Sequence, residues 1–359
     1  MENDPDAIAA GIAGQENVTE LWHLADRRVA AGDAAFVVDL GIALWRRYGG
    51  EDVRAPWQYR SIFDRVVRLL ALSPGTVADA VRLMHAVGAG RTVRFAAALL
   101  ASGHGTADDL GAALGAGAPA ELRACLVHEL VLRGVAADVG WAGEPWWREH
   151  PLAWLPAALT PLEGRPEVPR YTLSGRGGSI PHEESTALEE AGPAAPVRET
   201  TTPEAAAAIG AAVDNWAGES NGSVAAHTYA LGAPLRPGAV AATLRSLGLE
   251  CLQGLGGVGS GTAGNAWGQL FVAASSGGAY NAGEYGAYGR LAAWRSIGAL
   301  AGAPAGATAA EVEAAANASD WYGFSGASGW FQGVAWDIGL ATVAPGGRRL
   351  AILAATDTD

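Results

Sequence analysis

From residue 1 to about residue 135 the apolar side chains recur at helical spacing, and no alternating run interrupts them. Phe36, Leu40 and Leu44 fall at i, i+4 and i+8. Ile62, Val66, Leu69 and Leu70 share one face, as do Leu122, Cys125, Leu126 and Leu130. Ser73-Pro74 and Pro119 mark helix starts; Gly49-Gly50, Gly88, Gly103 and Gly134 mark stops. Short helices with short links predict stacked antiparallel pairs, arranged like an α-solenoid. No fixed-period motif names a repeat.

The pattern then changes twice. Residues 141–162, WAGEPWWREHPLAWLPAALTPL, alternate tryptophan with proline. Proline fixes φ and removes a donor, so this is irregular chain pinned by indole packing. It reads as a belt closing the helical part, or as an aromatic surface for a partner or sugar. Residues 164–202 are rich in Pro, Gly, Ser, Thr and Glu and read as a linker or long loop, with a short strand near Arg170–Leu173. A threonine cap before Pro203 then opens a second part. It carries a strand around 223–231, helices around 237–247, 285–301 and 308–317, and a closing hairpin. The hairpin pairs Phe331–Val343 with Arg348–Thr356 across Pro345-Gly346-Gly347. Strands and helices without regular βα alternation predict an α+β class. The expected division is a helical domain over 1–163, a linker over 164–202 and an α+β domain over 203–359.

Every one of the 24 Lys+Arg positions is arginine. Without lysine the chain forms no Schiff base, no Walker A loop and no Ser-Lys dyad. A formal charge of −13 argues against nucleic acid, which demands a clustered cationic surface. The N-terminus is acidic and lacks the form of a signal peptide. The uncharged run Cys251–Gly283 is too rich in glycine and amides for a membrane span. Cys125 and Cys251 lie far apart, with no CxxC and no zinc-ligand spacing. The expectation is a cytoplasmic protein with buried free thiols, without metal or cofactor and without a membrane or nucleic-acid partner.

Four constellations are candidates for chemistry. Two overlapping GxGxxG matches run through Gly254, Gly256, Gly259, Gly261 and Gly264. A dinucleotide loop needs such glycines for a tight turn at a helix start. The strand before it would have to be Leu249–Leu252, and no ribose-binding acid follows. The alternative is a glycine-rich segment that lets backbones pack closely. Ser325 approximates a nucleophile elbow, but the last histidine is His227, upstream, so the hydrolase order fails. His128-Glu129 starts a zinc-helix motif that Leu132 ends. In the hairpin, Trp336, Ile338 and Leu340 form an apolar face with Val334, and Asp337 points the other way. A tip at Pro345-Gly346-Gly347 pairs Asp337 near Ala355. It then puts Asp357 on the same face, about 7 Å away along the diagonal. Two such carboxylates suit acid–base work or a divalent cation. A register slip of one residue removes the argument. The plainer reading pairs Asp337 with an arginine, Arg295 first.

The ending SDWYGFSGASGWFQGVAWDIGLATVAPGGRRLAILAATDTD, with ELRACLVHELVLRGVA and HPLAWLPAALTPLE, resembles an actinobacterial family of unknown function, number six-one-eight-three. The likeness covers most of the chain and implies no activity, cofactor or catalytic residue. The residues point to a binding or regulatory protein with a protein or small-molecule partner. The rival reading is an enzyme acting through Asp337, Asp357 and Arg295 beside the glycine-rich run.

Overall fold

The computed structural model describes residues 4–50, 55–104, 106, 108–135, 143–177, 186–326, 329–331 and 336–358. The chain is α+β, and it divides into two compact units. The first comprises Met1–Ala153 with Arg170–Gly177; the second comprises Trp154–Pro169 with Gly178–Asp359. Trp141 and Val334, both used in the sequence argument, lie outside the described residues.

The first unit is built from α1 (Pro5–Gly11), α2 (Thr19–Ala30), α3 (Ala34–Tyr48), α4 (Trp57–Leu72) and α5 (Val77–Val87). They are followed by α6 (Arg91–Gly103), α7 (Gly111–Leu114), α8 (Ala120–Leu132) and α9 (Pro145–Glu149). The apolar spacing does what it predicts. Phe36, Leu40 and Leu44 are buried, as are Ile62, Val66, Leu69 and Leu70. Asp33 caps α3 by accepting the Phe36 amide hydrogen. Packing joins near neighbours, α4 to α6 and α6 to α8, as in a stacked helical array. Helix α8 is buried over Leu122–Leu132 on all sides and forms the centre of its unit. Strands β1 (Arg170–Thr172) and β2 (Gly175–Gly177) form a small hairpin. Arg65 and Arg68 hold it by donating to the carbonyls of Leu173, Thr172 and Gly175.

The second unit is a seven-stranded sheet with helices. Its elements are β3 (Thr186–Ala187), β4 (Val197–Glu199), α10 (Pro203–Gly210), α11 (Asp214–Glu219), β5 (Ser223–Leu231) and α12 (Val240–Ser246). Next come β6 (Leu255–Gly261), α13 (Ala263–Ser276), α14 (Tyr285–Ala301) and α15 (Ala309–Asn317). The last are β7 (Asp320–Gly326), β8 (Trp336–Val343) and β9 (Arg349–Asp357). The strand order is β3-β6-β7-β8-β9-β5-β4, and each described pairing is antiparallel. The proline- and glycine-rich segment read as a linker thus supplies both edge strands, short and polar as edges need to be.

One face of the sheet packs Leu350, Ile352, Tyr322 and Phe324 against Val240 and Leu244 of α12. The opposite face carries α13 and α14. Their close approach requires Gly289: a Cβ there would lie 2.8 Å from Cα and Cβ of Ser275. Arg349 fixes the far end of α14 by donating to the carbonyls of Ala299 and Leu300 (2.8 and 2.6 Å). These are carbonyls the helix leaves without an internal partner. Burial lowers the Arg349 pKa, and the two carbonyls compensate the desolvated guanidinium.

Candidate functional site

The closing hairpin forms, with Gly346 and Gly347 at positive φ in its turn, but its register is one residue from the expected one. Asp337 pairs with Thr356, and Trp336 pairs with Asp357. Directly paired residues share a face, so Asp337 and Asp357 point to opposite faces of the sheet. Thr356 Oγ1 donates to Asp337 Oδ1 at 2.6 Å. Asp357 is 1% exposed and accepts the Ala279 amide at 2.6 Å. The two carboxylates therefore do not converge. Arg295 is exposed on α14 and forms no ion pair with Asp337.

The glycine-rich run is itself a strand. Residues Glu250–Leu252, expected as the strand before a phosphate turn, form a 3-10 turn instead. Gly256, Gly259 and Gly261 lie within β6, which pairs with β3 on one side and β7 on the other. Gly254 precedes β6, and Gly264 sits in the first turn of α13, which Thr262 caps. The backbone of Gly259 faces Gly323 and Ala187 across two ladders, so the glycines serve close sheet packing.

Arg295 lines a cavity of about 250 Å³ whose walls are α11 and α14. Asp214, Glu219, Glu284 and Tyr288 also line it, with Asn215 and a patch of alanine and leucine. Local hydrogen bonds give the cavity its polarity. The Ala212 amide donates to Ser296 Oγ at 2.9 Å, placing the start of α11 beside the turn that carries Arg295. At the other end, the Tyr280 amide donates to Ser220 Oγ and Asn281 Nδ2 donates to the Asn215 carbonyl. The loop through Tyr280 and Asn281 leads into Glu284. Ala212 thus lies beside the turn that carries Arg295, and Ser220 beside the loop that leads into Glu284. Tyr285 next to Glu284 has φ +59, a conformation that costs a residue with a bulky side chain.

Asn215 is the informative residue. It is 9% exposed, and neither its Oδ1 nor its Nδ2 has a hydrogen-bond partner. A buried carboxamide left unpaired costs about 1–3 kcal/mol. Nothing in the sequence marks Asn215, because an asparagine in a short helix carries no periodic or motif signal.

A second unforeseen feature lies close by in the fold. Arg290 and Glu163 form an ion pair with both side chains fully buried. Arg290 Nε and Nη2 donate to the two carboxylate oxygens at 2.6 and 2.8 Å. Trp294 Nε1 and the Thr160 amide complete the carboxylate at 2.8 and 2.9 Å. Arg290 also donates to the carbonyls of Pro156 and Ala158. The pair pins the irregular segment 156–163 to α14.

The first unit has its own buried polar cluster on α8. His150 Nε2 lies 2.9 Å from Glu121, and Arg133 pairs with the buried Glu129 at 2.6 Å. His128, Trp147 and His150 stack in sequence, and Arg123 sits 4.1 Å over the Trp146 ring. Burial pushes the Cys125 thiol well up, and Glu121 and Glu129 push it further. That thiol is not a nucleophile at neutral pH. Among the described residues, no three histidine, cysteine or carboxylate side chains are placed to hold a metal ion, and no helix is long and apolar enough to cross a membrane.

No curated protein and no solved structure matches this chain. A family model, described as a family of unknown function (DUF6183), matches residues 19–359. The match takes in the helices from α2 onward and the whole of the sheet, and the chain therefore belongs to the DUF6183 family.

Proposed function

We propose that the protein binds a small polar ligand in the cavity between α11 and α14, without catalysing a reaction on it. The carrying observation is Asn215, whose carboxamide is buried against the cavity with both polar atoms unpaired. Native folds retain such a group where something else completes it. Two features support binding over catalysis. The carboxylates that would share acid–base work stand on opposite faces of the sheet. The thiols are buried and pushed up in pKa. Two unpaired cysteines also fit a reducing, cytoplasmic compartment.

The test combines ligand response with stability. Wild type and Asn215→Leu are compared in a thermal-shift panel of amino acids, polyamines, sugars and nucleotides. The variant removes the orphaned amide and keeps the volume. It should melt higher than wild type in buffer and lose the response to whichever class stabilises wild type. A variant that melts several degrees lower, or a wild type that responds to nothing in the panel, would overturn the proposal.

A further inference from the structure

Another cavity of the second unit, of about 320 Å³, is lined by the start of α13 and by the turn 161–167. Its volume is at the small end of the roughly 300–1,000 Å³ of ligand sites. The turn is fixed from behind. Glu163 is held by Arg290, Trp294 and the Thr160 amide, and the Leu162 amide donates to Glu313 at 2.9 Å. The two walls meet at Gly264, where a Cβ would lie 3.3 Å from the Leu162 carbonyl. Gly264 belongs to the first turn of a 14-residue helix. Its amide has no acceptor among the described residues, whereas the Asn265 amide is taken by Thr262 Oγ1. Open first-turn amides at the positive end of the helix dipole attract an anion. Arg165, exposed on the turn, lines the same cavity and forms no ion pair among the described residues.

The residue that makes this helix start a site is Gln269. It is 6% exposed, lines the cavity, and its carboxamide has no hydrogen-bond partner among the described residues. A buried amide is retained without a protein partner where something else pairs it. Gln269 follows Gly264 by five residues of α13, roughly 7.5 Å along the axis. Helical side chains lean toward the helix N-terminus, so the carboxamide returns toward the anion end of the cavity. We infer that this cavity binds a small organic monocarboxylate that carries a carboxamide at the far end of a short chain. The carboxylate takes the Gly264 amide and the Arg165 guanidinium, whose planar fork matches it. The ligand's carboxamide pairs with that of Gln269, each donating to the other. Glu167, exposed on the rim, sets one acid against one arginine and the helix end, which suits a single negative charge and not two. The site shares no residue with the cavity between α11 and α14.

Four molecules of nearly one shape separate the contacts. Succinamate represents the inferred class, succinate adds a second charge, and succinamide has none. The fourth, 4-methylpentanoate, keeps the carboxylate and replaces the carboxamide by methyl groups. Calorimetric titration of the full chain should show saturable succinamate binding at one site, with each of the other three at least about tenfold weaker. Arg165→Gln should bring succinamate down to the succinamide level and leave succinamide unchanged. Gln269→Leu should bring succinamate down to the 4-methylpentanoate level. Gly268→Leu checks the place. A Cβ at Gly268 meets nothing within 4 Å, so the new side chain enters the cavity and should abolish binding, while the helix gains a better former. No succinamate binding by wild type, equal binding of any of the three analogues, or binding that survives Gly268→Leu would sink the inference. Asn215→Leu should leave succinamate binding unchanged, whatever becomes of the first cavity. A loss in that variant would place succinamate between α11 and α14 and refute the assignment.

Discussion

Removing the negative charge at Glu163 should be among the most damaging single-atom changes available to this chain. In Glu163→Gln the side chain keeps its shape, but one oxygen becomes an amide nitrogen. Both carboxylate oxygens are in use: one takes Arg290 Nε and Trp294 Nε1, the other Arg290 Nη2 and the Thr160 amide. Whichever way the new amide turns, its hydrogens face two donors. The Arg290 guanidinium, fully buried, is left with the carbonyls of Pro156 and Ala158 and no counter-charge from Glu163. Breaking a buried pair from one side costs about 3–5 kcal/mol. For a unit of about 200 residues, at about 2–4 °C per kcal/mol, that is a fall of about 6–20 °C in Tm. Arg290→Met should cost about as much, since it leaves the carboxylate buried and two carbonyls unpaired.

The double variant Glu163→Leu with Arg290→Met carries the sharper test. It removes both charges, so the stranded-charge term vanishes. The Trp294 and Thr160 donors and the two carbonyls still lose partners, at about 1–3 kcal/mol for each group that water does not reach. The double variant should therefore lose clearly less than the sum of the two single losses. Urea denaturation measures all three, with the midpoint falling at an unchanged slope if the transition stays cooperative. A Glu163→Gln loss below about 1 kcal/mol is the value of an exposed pair and would refute the buried geometry. Additive single losses would refute the coupling.

Two further outcomes follow from the same packing. Gly289→Ala should destabilise the protein although alanine is the better helix former by about 1 kcal/mol, because the new Cβ would sit 2.8 Å from Ser275 on α13; equilibrium denaturation that shows a gain would mean the helices separate freely. Burial pushes the Cys251 thiol up to about 11 and raises Cys125 well above its ordinary value. Between pH 7 and 9 both should therefore stay protonated and resist alkylation in the native protein. Both should react at the rate of a free thiol after unfolding, with mass spectrometry of iodoacetamide-treated samples as the readout; rapid native labelling at pH 8 would contradict it.

The helices of the first unit were legible because each apolar stripe is local, four residues from one contact to the next. The hairpin was legible in its strands and turn, but its register was not. Alternation says which residues share a face within a strand, and only the turn geometry says which residue lies opposite. A shift of one residue separated Asp337 from Asp357. Strand β6 was hidden because Gly256, Gly257, Gly259 and Gly261 have no side chains to alternate. The two arginines of α14 show the same limit. Arg290 and Arg295 are five residues apart, about 140° around the helix. Arg290 is buried and Arg295 exposed, yet composition treats them alike. The partner of Arg290 lies 127 positions away in the sequence, in a stretch whose acids and arginines resemble an ordinary surface loop.

Asp357 emerges from this as a residue that shapes the cavity from outside it. Its carboxylate, at the end of β9, accepts the Ala279 amide and so holds the loop that joins α13 to α14. Within that loop Asn281 accepts the Gly278 amide at 2.8 Å and reaches across to the Asn215 carbonyl. The Glu284 amide then returns to the Ala274 carbonyl at 2.8 Å, where α14 begins. Most loops satisfy their backbone with water and move accordingly. This one is satisfied by a buried aspartate and an asparagine, so it starts α14 from a fixed position. Two residues of the cavity wall, Glu284 in the loop and Asn215 in α11, are held by the same chain of hydrogen bonds. On the proposed binding reading, a ligand meeting them would have little ordering left to do, and affinity per contact rises as that ordering cost falls. On the binding reading proposed above, the unpaired Asn215 amide is the part of the site that a ligand would complete.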